Sequence, residues 1–253
     1  MCSTADVPVL ADWSLPVDSV ERTALVAKPT KASQAAPLVF AFHGHGGSAK
    51  QAARSMPIHK HWPEALVIYP QGLPTAGKLT DPEGKRAGWQ MAEGTQGDRD
   101  LKFFDAMLKA ASTQAEYDTD RVYVTGHSNG GAFTYLLWEK RPDLFAAVAP
   151  SAAVLVGMKA AKPLPCLHIG GEADALVKFR WQEAMIASVK KRNGCEEKGT
   201  EWTKCDRFVA TKFTSTRGDT PLVTLIGPGG HEYPKGAPEL IVKFFQEHGK
   251  SKK

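Results

Sequence analysis

No apolar run in the 253 residues approaches the ~18 needed to cross a bilayer as a helix, which excludes a transmembrane helix. No internal repeat or low-complexity tract appears, which excludes a solenoid or a long unstructured linker. Cysteine is scarce, at four residues, and none is half of a C-x-x-C pair, so no zinc pattern is present. No nucleic-acid motif accompanies the formal charge of +5. The densest basic clusters, Lys190-Lys191-Arg192 and Lys250, Lys252 and Lys253, read as a solvated helix face and a tail, and no nucleic-acid partner is expected. The first residues do not read as a signal peptide. Met1-Cys2-Ser3-Thr4 resembles a start placed before a mature exported chain, with Cys2 as a lipid-bearing cysteine, or else an ordinary start.

What is present is ordinary for a globular protein: 42% apolar and 23% charged residues. The length suits one α/β domain over residues 1–253, with residues 1–20 as a flexible N-terminal extension. Short β-branched runs alternate with amphipathic segments. Strands are predicted at 22–27 (an edge strand), 38–42, 65–69, 121–125, 145–149, 166–169, 207–213 and 222–226. Helices are predicted at 100–111, 130–139, 177–192 and 238–248. This alternation implies a mainly parallel sheet covered by helices on both faces, with no insertion after 145–149 long enough for a large lid. The longest irregular segment, 72–97, has the length of a functional loop.

The segment Val122-Tyr123-Val124-Thr125-Gly126-His127-Ser128-Asn129-Gly130-Gly131 holds G-x-S-x-G between a strand and an apolar helix. A serine at the apex of so sharp a turn leaves no room for side chains two residues to either side, hence the glycines. The helix N-terminus that follows favours developing negative charge. Such a serine needs a base and an acid, in the chain order Ser, Asp or Glu, His. Of the three histidines after Ser128, His168 lies in an apolar strand and His248 is expected to be solvated. His231 follows the last strand in Gly227-Pro228-Gly229-Gly230-His231 and is assigned as base. Asp174 and Glu172, after the strand at 166–169, are both candidates for the acid; the family resemblance given below selects Asp174, whose other role would be a helix cap. An oxyanion hole would use the N–H of Asn129 and that of His45 in Phe42-His43-Gly44-His45-Gly46-Gly47. A metal at the His43/His45 and His59/His61 pairs lacks an accompanying carboxylate or cysteine pattern, so no metal and no cofactor is expected. Trp89 and His127 are nominated as substrate contacts, Trp89 stacking on an aromatic acyl group or a sugar. Cys195 and Cys205, ten apart, are expected to close a small disulfide loop worth about 2–3 kcal/mol, which would place the chain in an oxidising compartment.

These segments resemble the poly(3-hydroxybutyrate) depolymerase-like and feruloyl esterase group of the α/β-hydrolase superfamily. The resemblance is carried by His43-Gly44-His45-Gly46-Gly47-Ser48, Tyr69-Pro70-Gln71-Gly72, Gly88-Trp89, the block Asp120 to Gly131, Gly171-Glu172-Ala173-Asp174, Asn193-Gly194-Cys195 and Gly229-Gly230-His231. It implies the α/β-hydrolase fold, Ser128 as nucleophile, Asp174 as acid, His231 as base, and oxyanion donors at His45 and Asn129. It also implies a secreted, periplasmic or cell-surface protein acting on an ester substrate, feruloyl, acetyl or polyester, with a disulfide near Cys195 in some members; a monomer is expected. The chain departs from the group in lacking a cysteine after Gly88-Trp89, in having Asp98-Arg99-Asp100 in place of adjacent aspartates, and in carrying no attached polymer-binding module. Two other functions use the same residues: a prolyl-oligopeptidase-type peptidase, and a non-catalytic binding protein that keeps the fold.

Overall fold

The computed structural model describes residues 7–30, 35–159, 162–205 and 208–250; Cys2 lies outside them, as does the side chain of Cys205. Twelve strands are described: β1 (Leu10–Val17), β2 (Val20–Ala27), β3 (Ala36–Phe42), β4 (Leu66–Pro70), β5 (Leu73–Pro74), β6 (Ala87–Gly88), β7 (Tyr117–His127), β8 (Ala147–Ser151), β9 (Cys166–Gly171), β10 (Thr200–Cys205), β11 (Phe208–Phe213) and β12 (Leu222–Gly227). The helices are α1 (Ala49–Ser55), α2 (Ile58–His61), α3 (Arg99–Gln114), α4 (Asn129–Lys140), α5 (Phe179–Asn193) and α6 (Ala237–Gln246). Ten strands form one sheet in the order β1-β2-β4-β3-β7-β8-β9-β12-β11-β10, and β5 and β6 pair separately as a small hairpin.

The six central strands, β4 to β12 in that order, run parallel. Both flanks are antiparallel. Parallel strands need apolar cover on both faces, and β3 shows how the sequence supplies it. Leu38, Phe40 and Phe42 face one core, with Phe104 of α3, Trp138 of α4 and Val189 of α5. Val39 and Ala41 face the other, with Ala52 of α1, Ile58 of α2 and Phe245 of α6. After β3 the chain crosses to β4 on one side and then returns to β7 on the other. The carboxyl ends of β3 and β7 therefore flank a topological switch point, the usual place for a ligand crevice in an open α/β sheet.

Four expectations are corrected. Residues 10–17 are not a loose extension but the edge strand β1, paired with β2 along its whole length. Only Trp13 and Val17 of β1 are buried, and Pro16 is tolerated because this is a sheet edge. The strand predicted at 22–27 is consequently internal. The polar stretch around residues 200–205 is the opposite edge strand, β10. His248 is buried, not solvated: its ring packs on Phe244 at 4.4 Å, and its carbonyl accepts from the Tyr123 hydroxyl at 2.6 Å.

Candidate active site

Strand β7 ends at His127 and α4 starts at Asn129, so Ser128 alone makes the turn, at φ 56° and ψ −119°. That backbone is costly for a residue with a side chain and is held by its surroundings. The Ser128 N–H donates to the Ser151 carbonyl at 2.8 Å, and the Ser128 carbonyl accepts from Ala132 at 2.9 Å. The turn is also pressed against β3. A Cβ on Gly130 would lie 2.4 Å from the Phe42 carbonyl oxygen, so only glycine fits there.

Neighbouring parallel strands β9 and β12 deliver the other two side chains. The loops after them are laced together by Glu172 N–H to Gly227 O (2.8 Å) and Ala173 N–H to Gly229 O (2.9 Å). This approach requires Gly171, whose Cβ would sit 2.3 Å from the Gly229 carbonyl oxygen. His231 Nδ1–H donates to Asp174 Oδ2 at 2.8 Å, and His231 Nε2 accepts from the Ser128 hydroxyl at 2.8 Å. The Asp174 side chain is fully buried; that of His231 is 23% exposed. Asp174 Oδ1 accepts from the N–H groups of Leu176 (2.9 Å) and Val177 (2.8 Å). The carboxylate thus holds its own turn with one oxygen and His231 with the other. Glu172, the competing acid, is exposed.

The two nominated oxyanion residues both grip the loop that bears the β5–β6 hairpin. Asn129 accepts from Trp89 N–H (2.7 Å) and donates to the Trp89 carbonyl (3.0 Å) through its side-chain amide. Its own N–H lies in the first turn of α4, where no helical acceptor exists. The His45 ring, half-buried beside Gly77 and Gly88, bonds Asp81 Oδ2 at 3.1 Å. Gly46 N–H donates to Ala87 O at 2.7 Å. His43 is buried, donating to its neighbour Gly44's carbonyl and accepting from Gly72 N–H (3.0 Å). Burial pushes its pKa down.

His127 lies beside the site: its ring is 5.0 Å from that of His231 and edge-on to Tyr233. Burial, followed by the nearby His231, pushes its pKa down to about 4, so it stays neutral near pH 7. Trp89 is not a substrate contact. It is fully buried, stacks on Phe133 and donates its indole N–H to the His43 carbonyl at 2.9 Å. The expected Cys195–Cys205 disulfide is also overturned, since Cys195 carries a free thiol. The register explains why. Cys195 bridges Ser215, whereas Cys205 pairs with Phe208 at the far end of the β10–β11 ladder. At ~3.3 Å per residue these positions are roughly 20 Å apart, far beyond disulfide reach.

Gln182 was missed. It is buried beside Asp174, and its signal was a polar side chain on the same face of α5 as Met185 and Val189.

The chain is similar to several known proteins. A model of the prolyl oligopeptidase family matches residues 86–163, less than a third of the chain. The bifunctional acetylxylan esterase/xylanase XynS20E of Neocallimastix patriciarum is 24% identical over 76% of this chain and 30% of its own length. A protein named "Probable feruloyl esterase C" from Aspergillus clavatus is 28% identical over 82% of this chain and 76% of its own. The chain thus spans under a third of the first relative and about three quarters of the second. An acetyl xylan esterase structure from Aspergillus awamori superposes with a TM-score of 0.67 at 15% identity, over 93% of this chain and 99% of that one. The chain has the α/β-hydrolase fold. A second structure, a ferulic acid esterase, gives the same TM-score of 0.67 at 12% identity, over 94% and 98% of the two chains. The segment between β8 and β9, residues 152–165, is too short for the large helical lid that some α/β-hydrolases insert there.

Proposed function

We propose that the chain is a serine esterase that hydrolyses carboxylic esters through an acyl-serine intermediate. One observation carries this: Ser128, His231 and Asp174 stand in line, with both hydrogen bonds at 2.8 Å. His231 takes the Ser128 proton as Oγ attacks the ester carbonyl, and the buried Asp174 stabilises the imidazolium. The N–H groups of Asn129 and His45 receive the oxyanion. His231 then protonates the departing alcohol. Water attacks the acyl-serine with His231 again as base, releasing the acid and restoring Ser128.

The substrates proposed are feruloyl or acetyl esters of plant polysaccharide, or a related polyester. The names of the relatives support the first two, and the short 152–165 segment leaves space for a bulky ester. His127 contacts the bound acyl or alcohol group in this reading, which its ring, 5.0 Å from that of His231, supports. The described chain acts as one unit and as a monomer. Because a polymeric ester cannot enter a cell, export belongs to the same proposal. The prolyl oligopeptidase match, which spans the turn at Ser128, supports a second reading, a serine peptidase.

The test is hydrolysis of p-nitrophenyl acetate by the wild type and Ser128→Ala. A loss of about a thousandfold or more is expected, and equal rates would contradict the proposal. Methyl ferulate, acetylated xylan, a polyhydroxybutyrate film and a prolyl p-nitroanilide peptide then rank the substrates. Turnover of the peptide alone would favour the peptidase.

A further inference from the structure

We infer that Gln182 is a positioning residue, which fixes the charge and orientation of Asp174 through the carboxylate oxygen that also accepts from His231. The inference rests on the esterase proposal above. Gln182 is fully buried in the first turn of α5. Its Nε2 donates to Asp174 Oδ2 at 3.0 Å and to the Val177 carbonyl at 2.7 Å, so both amide hydrogens are used. The amide oxygen therefore faces His168, whose Nε2 lies 3.3 Å away. His168 must carry its proton on Nε2, which leaves Nδ1 to accept from the Tyr135 hydroxyl at 2.7 Å. Tyr135 and His168 are also fully buried.

One row, buried from Tyr135 to Asp174, thus runs Tyr135, His168, Gln182, Asp174, His231, Ser128, with every donor pointing toward the carboxylate from both ends. A flipped Gln182 amide would set its oxygen against Asp174, acceptor to acceptor. The Val177 carbonyl, a second acceptor at 2.7 Å from the amide nitrogen, forbids that flip as well. Burial, which pushes the His168 pKa down to about 4, keeps the ring neutral. Gly170 on β9 makes room: a Cβ there would lie 2.6 Å from Gln182 Oε1.

The consequence is chemical. Gln182 donates to Oδ2, the same oxygen that accepts from His231. A donor on that oxygen weakens its hold on the His231 imidazolium and restricts the carboxylate to one orientation. Titratable groups nearby include Glu232, whose carboxylate accepts from Gly230 N–H at 2.7 Å, His127 on β7 and His168 on β9, both pushed down to about 4, and Tyr233, pushed well above its ordinary value by burial.

The experiment measures kcat/KM for p-nitrophenyl acetate against pH in the full chain carrying Gln182→Met or Gln182→Glu. In Gln182→Met the imidazolium is held more tightly, and the acidic limb moves up by about half to one pH unit. Gln182→Glu, protonated beside Asp174, restores a donor. Its acidic limb stays where the wild type's is, and it gains an alkaline loss where the new carboxyl ionises. An unmoved limb in Gln182→Met, with only a lower Tm, would make Gln182 a packing residue and overturn the inference. Should that variant fail to fold, the absence of an alkaline loss in Gln182→Glu overturns it instead. The downfield proton NMR signal of His231 Nδ1–H gives an arm that needs no turnover. It shifts in the variants if Gln182 acts on Asp174 and is unmoved if it does not. A wild type that hydrolyses no ester would sink the esterase proposal and still leave this arm to decide on Gln182.

Discussion

Ser128, at φ 56°, stands where an L-residue is strained, and the residues around it have no freedom to change. The Gly130 position touches the Phe42 carbonyl, and Asn129 ties the same turn to Trp89. Trp89 thus acts on the site from within the core. Trp89→Ala is expected to cost about 3–5 kcal/mol of stability, read as a lower urea midpoint, whereas a folded Trp89→Phe keeps the KM of the wild type. A raised KM with unchanged stability would restore the substrate-contact role. At this scale the sequence was informative where chemistry is local. Ser128, Asp174 and His231 each follow a strand and have glycine within a few residues, and these are the three side chains that meet. The role of Trp89 depends on where the 72–97 loop folds, which spacing along the chain does not encode. The role of Gln182, on α5, depends on neighbours outside its helix, Asp174 and His168.

The central strands were legible because burial on both faces forces continuous apolar runs such as Leu38–Phe42. The two edge strands were not. β1 and β10 sit at sheet edges, half solvated, and carry polar and charged residues that read as loop. Because β10 is a strand, the ten-residue spacing of Cys195 and Cys205 does not imply proximity, as it would if the segment between were a loop. Alkylation in denaturant without reductant, followed by peptide mass spectrometry, is expected to label Cys195. Labelling of Cys195 only after reduction would contradict the strand register.

For the whole molecule, burial makes stability depend on pH. His59 and His168 are buried, and each is held down to about 4 from an ordinary value of 6.5. Between those values the unfolded chain binds protons that the folded chain does not, so stability is complete above about pH 6.5 and declines as pH falls toward 4. Each histidine contributes a slope of at most about 1.4 kcal/mol per pH unit. The urea midpoint is therefore expected to be lower at pH 5 than at pH 7.5; a higher midpoint at pH 5 would contradict the burial of these rings. Sheet order, elbow and loop lacing together serve one end, a serine made nucleophilic by its neighbours. The most direct measurement is mass spectrometry of the intact protein and its peptides after treatment with a phosphonylating inhibitor. One adduct per chain, located on Ser128 and lost in His231→Ala, is the predicted result. No adduct, or an adduct on a different residue, would contradict the account.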